Sequence, residues 1–88
     1  MPQYEAVQYR SLGNCWRDDR RIAKSFPEFC QAERYARRIL GQRPGVPVDI
    51  YEQEPTATGG LTYDRVATVS RDALGRTWTD GLTMEGLI

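Results

Sequence analysis

Apolar residues recur along this chain in two rhythms, and the change from one to the other marks its elements. Residues 3–10, Gln3-Tyr4-Glu5-Ala6-Val7-Gln8-Tyr9-Arg10, are rich in strand formers and lack Gly and Pro, which predicts a first strand. The alternation is imperfect: Tyr4 and Ala6 share one face, Val7 and Tyr9 the other. Either a bulge intervenes or both faces are partly covered. Ser11-Leu12-Gly13-Asn14 is a turn signal, and Cys15-Trp16-Arg17 leads to Asp18-Asp19, a second turn. Arg20 to Phe26 predicts a second strand, with Ile22, Lys24 and Phe26 on one face and Arg21 and Ala23 on the other.

The rhythm then changes. Phe29, Ala32, Ala36, Ile39 and Leu40 recur at spacings of three and four with Tyr35 beside them, the stripe of a helix lying on a sheet. Ser25-Phe26-Pro27-Glu28 has the form of a capping box, with Ser25 as N-cap and Glu28 reaching back to it. Proline is tolerated in that first turn. The opposite face carries Gln31, Glu33, Arg34, Arg37 and Arg38, and the late arginines complement the C-terminal end of the helix dipole. Cys30 is expected to pack as a small hydrophobe. Gly41 is expected just past the helix end, before Pro44-Gly45 and Pro47.

Beyond the helix the period returns to two. Val48-Asp49-Ile50-Tyr51-Glu52 alternates cleanly as a third strand, and Pro55 to Gly60 reads as an open, flexible loop. Tyr63 to Ser70 is a β-branched strand, Arg71 to Gly75 a turn, and Arg76 to Thr79 its hairpin partner. The tail from Asp80 is expected to be loosely held, although Leu82, Met84 and Leu87 offer apolar contacts. The order is β-β-α-β-β-β. It predicts an α+β fold, a four- or five-stranded mostly antiparallel sheet with one helix packed on one face.

The chain has 88 residues, which predicts one domain spanning 1–88 with a small core. Apolar content is 40% with nine aromatics, enough to argue against wholesale disorder. No apolar run approaches the length of a membrane span or a secretory signal, so no membrane partner and a cytoplasmic location are expected. Two cysteines, Cys15 and Cys30, do not make a disulfide framework and are expected to be free thiols.

Charge changes the picture more. Lys+Arg and Asp+Glu balance at 12 each, yet residues 1–43 carry nine cations against five acids and residues 44–88 three against seven. The halves are therefore +4 and −4. Segregated charge of this kind suits a charged macromolecular partner, because complementary potential steers encounter and fixes register.

Candidate chemistry is mostly excluded. Histidine is absent, which removes the usual general base and the commonest metal ligand. Cys15, beside Trp16 and Arg17, has only arginines to activate it. Asp18-Asp19 supplies too few oxygens for a calcium loop, and no Cys/His cluster has zinc spacing. Gly59-Gly60 lacks the Lys-Ser/Thr of a phosphate loop. No cofactor is expected, and the residues argue against an enzyme.

Two surfaces are left as binding candidates. One is basic: Trp16, Arg17, Arg20, Arg21 and Lys24 with Arg34, Arg37 and Arg38 on the helix. Arginine outnumbers lysine eleven to one across the chain, which favours bidentate contacts to phosphate or carboxylate. Trp16 is placed to stack on a base. The bland alternative is a set of ordinary solvated faces. The other surface is acidic: Asp49, Glu52 and Glu54 with Asp64, and with Asp72 and Asp80 in the later hairpin. Presented on one sheet edge, these carboxylates would mimic spaced phosphates, with Tyr51 or Trp78 as anchor. The alternative there is charge that merely discourages edge pairing. Tyr51, Tyr63 and Trp78 divide between core and open face, with at least one expected in the core.

The run Arg20-Arg21-Ile22-Ala23-Lys24-Ser25-Phe26-Pro27-Glu28-Phe29, followed by Ala32-Glu33-Arg34-Tyr35-Ala36, resembles the hairpin-then-helix of integrase arm-type DNA-binding domains. The likeness covers residues 4–40. It departs in having only Cys15-Trp16-Arg17 for the middle strand and in continuing with three further strands. In size, charge and lack of catalytic groups the whole chain is similar to small phage-encoded inhibitors of the anti-CRISPR type, a likeness of character that transfers no residue. It implies a non-enzymatic protein-binding inhibitor of phage or mobile-element origin. Such a protein would block a nucleic-acid-handling complex such as a CRISPR surveillance complex through the acidic surface, as monomer or homodimer. The alternative is a small DNA-binding accessory domain using the basic hairpin and helix face.

Overall fold

A computed structural model describes residues 3–11 and 19–81. Five strands and one helix follow the expected order: β1 (Gln3–Tyr9), β2 (Arg20–Phe26), α1 (Phe29–Gln42), β3 (Val48–Pro55), β4 (Leu61–Arg71) and β5 (Thr77–Gly81). They form one sheet in the order β2-β1-β3-β4-β5, with every neighbouring pair antiparallel. β2 and β3 thus flank β1 and run the same way, which is why a helix is needed to carry the chain across the sheet between them. The Cys15–Arg17 segment and the tail beyond Gly81 lie outside the described residues.

The helical stripe meets the sheet as its spacing requires. Ala32, Ala36, Ile39 and Leu40 are buried against Ala6, Val48, Ile50, Ala67 and Val69. The small side chains of Ala32, Ala36, Ala6 and Ala67 let the helix lie close to the sheet. Its margins are aromatic: Tyr4 meets Phe29 edge-on at 5.7 Å, and Phe26 meets Tyr35 at 5.2 Å.

Both ends of the helix differ from expectation. Ser25 is not its cap, because β2 continues to Phe26 with Ser25 opposite Glu5. A residue before proline is pushed towards extended backbone, so Phe26 stays in the strand and Glu28 takes the cap position without a side-chain bond. At the other end Gly41 lies within the helix, which runs to Gln42 and is closed by the Arg43 N–H on the Leu40 carbonyl at 3.0 Å. The end therefore does not depend on a left-handed glycine, and Arg37 and Arg38 fall short of the last turn. Cys30 is exposed, with its Sγ 3.5 Å from Glu28 Oε2, rather than packed.

The sheet's irregularities explain the imperfect alternation in β1. The ladder between β1 and β2 slips between Gln8 and Tyr9, so that Arg21 has no direct partner. Arg21 consequently turns to the helix side, where it donates to Gln8 and Gln42, rather than facing away with Ala23. A second slip leaves Val66 unpaired between the Ile50–Ala67 and Tyr51–Arg65 pairs. Val7 and Tyr9 are also buried on the face away from the helix, so bulge and two-sided cover coexist.

β3 and β4 run longer than the apolar pattern suggests, and the segment joining them is a closed turn rather than an open loop. The Thr56 N–H bonds the Gly60 carbonyl at 2.9 Å, the Gly60 N–H bonds Thr56 Oγ1 at 3.0 Å, and Gly59 takes φ +90°. In the last hairpin Asp72 accepts from the Leu74 and Arg76 N–H groups at 3.0 and 2.9 Å, with Gly75 at φ +82°. These amide bonds hold the Asp72 carboxyl below its ordinary range.

Candidate functional site

Successive residues of a helix are turned by about 100°, so the exposed charges of α1 divide between two flanks. Gln31, Arg34 and Arg38 fall on the flank beside β2, and Glu33 and Arg37 on the flank towards β5. The first flank and β2 enclose a groove of about 510 Å³ lined by Lys24, Phe26, Pro27, Gln31, Arg34, Tyr35 and Arg38. Lys24 leaves the helix side of β2 and holds its Nζ 5.6 Å from the Phe26 ring centre and 5.4 Å from that of Tyr35. The two half-buried rings make an apolar wall, and their negative faces attract the ammonium. Among the described residues, Lys24, Arg34 and Arg38 make no salt bridge. Three like charges around one concavity repel, and an anionic ligand relieves that repulsion.

The remaining basic candidates have structural partners. Arg37 donates to the Thr77 carbonyl at 3.3 Å and to Thr79 Oγ1 at 3.0 Å, and lies 3.7 Å from Glu33. Arg20 pairs with Glu5 at 3.4 Å on the face away from the helix, where both side chains are largely buried. Arg21 is engaged by Gln8 and Gln42. Trp16 and Arg17 lie outside the described residues. Of the basic set, three residues gather at a groove and three belong to the scaffold.

The acidic candidates do not form one surface. β3 is the central strand, not an edge. Side chains alternate along it, so Asp49 and Tyr51 face away from the helix, while Glu52 and Glu54 face the helix side. Asp64 lies opposite Glu52, on the helix side, and Trp78 lies opposite Ser70, on the other. Glu52 accepts a 3.0 Å hydrogen bond from the Tyr4 hydroxyl, which raises the phenol's pKa. Of Tyr51, Tyr63 and Trp78, none belongs to the core beneath the helix. Tyr63 and Trp78 are exposed, and Tyr51 is half-buried with its hydroxyl 3.2 Å from that of Tyr9. Burial raises the Tyr51 phenol first, and the Tyr9 bond adds to it.

Asp49 is half-buried and bonded within the sheet. Burial raises its pKa, opposed by the Thr68 hydroxyl, which donates at 3.1 Å, and by Arg65. An acid whose folded pKa is raised is destabilising when ionised, and the deficit grows as pH climbs from about 4 through the folded pKa. Asp49→Asn keeps an acceptor for Thr68 and removes the charge. It should therefore be more stable than wild type at neutral pH, with the gap closing as pH falls towards 3. Urea unfolding across that range measures it, and a constant gap would contradict the assignment.

Apolar spacing did not single out Phe26, Pro27, Gln31 and Tyr35 as groove walls. The signal available was helical phase: 31, 34, 35 and 38 share one flank that excludes 37. Among the described residues no group of three or more His, Cys, Asp or Glu is placed to hold a metal ion, and no helix is long and apolar enough to cross a membrane. Comparison with protein-family models, with curated proteins and with solved structures gave no match in any of the three.

Proposed function

We propose that this chain is a non-enzymatic binding module that engages an anionic segment of a macromolecular partner in the groove between β2 and α1. The observation that carries this reading is the gathering of Lys24, Arg34 and Arg38, without carboxylate partners among the described residues, around the Phe26–Tyr35 wall. Charged groups of one sign in a cleft with apolar walls focus the potential there. In the inhibitor role implied by its likeness to small phage-encoded proteins, the module would cover an anionic surface of a nucleic-acid-handling complex. The contact would then lie on the basic side of the molecule, a choice supported by the acidic candidates facing two directions.

The test is binding to two polyanions, fluorescent poly-L-glutamate and a mixed-sequence oligodeoxynucleotide, at low and raised salt. Wild type is expected to bind at least one of them at low salt. Arg34→Glu combined with Arg38→Glu should weaken that binding about tenfold or more while leaving the far-UV spectrum and melting midpoint near wild type, since both side chains are exposed. Failure of wild type to bind either polyanion, or equal binding by the double variant, removes the groove as the site.

A further inference from the structure

The groove has a second property that charge alone does not require: one of its walls is the edge of the sheet. β2 pairs with β1 on one side, and its other side carries no strand among the described residues. Its middle residues, Ala23, Lys24 and Ser25, are all exposed. Past the bulge at Arg21, the stretch from Ile22 to Phe26 stays in regular register with β1. An edge strand of this kind turns alternate N–H and C=O groups outward, unpaired.

Resting on the groove as the anion site, we propose that the occupant is an extended acidic segment of a protein partner, which adds to β2 as a sixth strand and sets its acidic side chains among Lys24, Arg34 and Arg38. Three observations favour it over nucleic acid. The outward groups of an edge are donors and acceptors in alternation, and a peptide satisfies both, whereas a phosphodiester only accepts. The ring faces a base would stack on are already approached by Lys24 Nζ. The charge on the groove is three cations on a molecule of zero formal net charge, which gives little counterion release but matches two or three carboxylates on alternate positions of a strand.

A lysine on an edge strand is also a device against unwanted pairing, and here it acts selectively. Lys24 and its two arginine neighbours repel a basic strand, disfavour a neutral apolar one that would desolvate them without pairing, and attract an acidic one. The opposite edge is built otherwise. On β5 the Thr77 carbonyl is taken by Arg37, and the exposed Asp80 repels an acidic strand. Strand addition supplies affinity through the main chain and selectivity through alternate side chains. The bound segment would lay every second side chain over the groove and turn the others to the far face.

The test uses a capped six-residue peptide alternating Glu and Val. It is compared with two isomers, one N-methylated at every valine and the other at every glutamate, and with a single-stranded oligodeoxynucleotide of similar charge. With the glutamates held over the groove and the segment running antiparallel to β2, as every neighbouring pair in the sheet does, only one set of amides points at β2. One isomer should therefore bind about tenfold more weakly while the other keeps the parent affinity, and amide exchange should slow within Ile22–Phe26 when the parent peptide binds. If both isomers bind like the parent and binding still needs Arg34 and Arg38, strand addition is wrong and the anion groove stands. Binding of the oligonucleotide but not the peptide makes nucleic acid the ligand and overturns the inference. If nothing binds, both readings fall.

Discussion

Leu40→Ala should cost the fold about 3 kcal/mol, a large share of the roughly 5–10 kcal/mol available to a domain of this size. Leu40 is fully buried and is among the largest side chains that are. It sits in the last turns of α1 within the cluster that joins the helix to Val48, Ile50 and Val69. Truncation removes the apolar surface it buries and leaves a cavity, because the surrounding β-branched side chains and alanines have little freedom to collapse into it. The expected readout is a lower urea midpoint with the slope unchanged. A loss below about 1 kcal/mol would mean that the helix end is not docked as described. The consequence reaches function through geometry: α1 carries Tyr35, Arg34 and Arg38, so the groove exists only while the helix is seated.

The elements themselves were largely legible. β2 begins and ends where its alternation does, and the stripe Phe29, Ala32, Ala36, Ile39 and Leu40 meets the sheet as its period demands. What local pattern does not carry is strand order. The run Val48–Glu52 reads the same on an edge as in the centre, and only pairing with both β1 and β4 makes it central. Alternation alone divides Asp49 and Tyr51 from Glu52 and Glu54, while the faces of Asp64 and Trp78 follow from the pairing of β4 with β3 and β5. The bulges at Arg21 and Val66 were hidden too. A single added residue moves every later side chain of its strand to the other face without altering composition. The helix start was masked by a sequence that satisfies a capping box, while Pro27 held Phe26 in the strand.

A buried polar residue is the other thing that periodicity conceals, and Gln8 has the strongest expected effect of that kind. Gln8→Leu should destabilise the protein by about 2–3 kcal/mol despite being nearly isosteric. Its side chain is fully buried. Its amide nitrogen donates to the Arg43 carbonyl at 3.0 Å and the Val46 carbonyl at 2.8 Å, while its oxygen accepts from Arg21 Nε at 2.9 Å. One side chain thus ties β1 to the turn leaving α1 and to the bulge of β2. It takes up two carbonyls where a left-handed glycine was expected to end the helix. Leucine fills the space but deprives the Val46 carbonyl and Arg21 Nε of this partner and leaves the Arg43 carbonyl only its 3.3 Å bond from the Val46 N–H, and groups left unpaired cost more than the bonds contributed.

Gln8→Glu separates hydrogen bonding from shape. A carboxylate keeps Arg21 but points negative charge at two carbonyls from a buried position, so its pKa should rise. A raised acid pKa means stability lost as pH climbs, so this variant should recover towards acid pH while Gln8→Leu does not. Urea midpoints from pH 4 to 8 distinguish them, and a Gln8→Leu loss under about 1 kcal/mol would show that solvent replaces the bonds. Because the clamp joins the end of α1 to β2 through Arg21, it also fixes the distance between the two walls of the groove. Gln8→Leu should then weaken polyanion binding even at temperatures where the variant remains folded, whereas Asp49→Asn, on the far face, should leave binding unchanged.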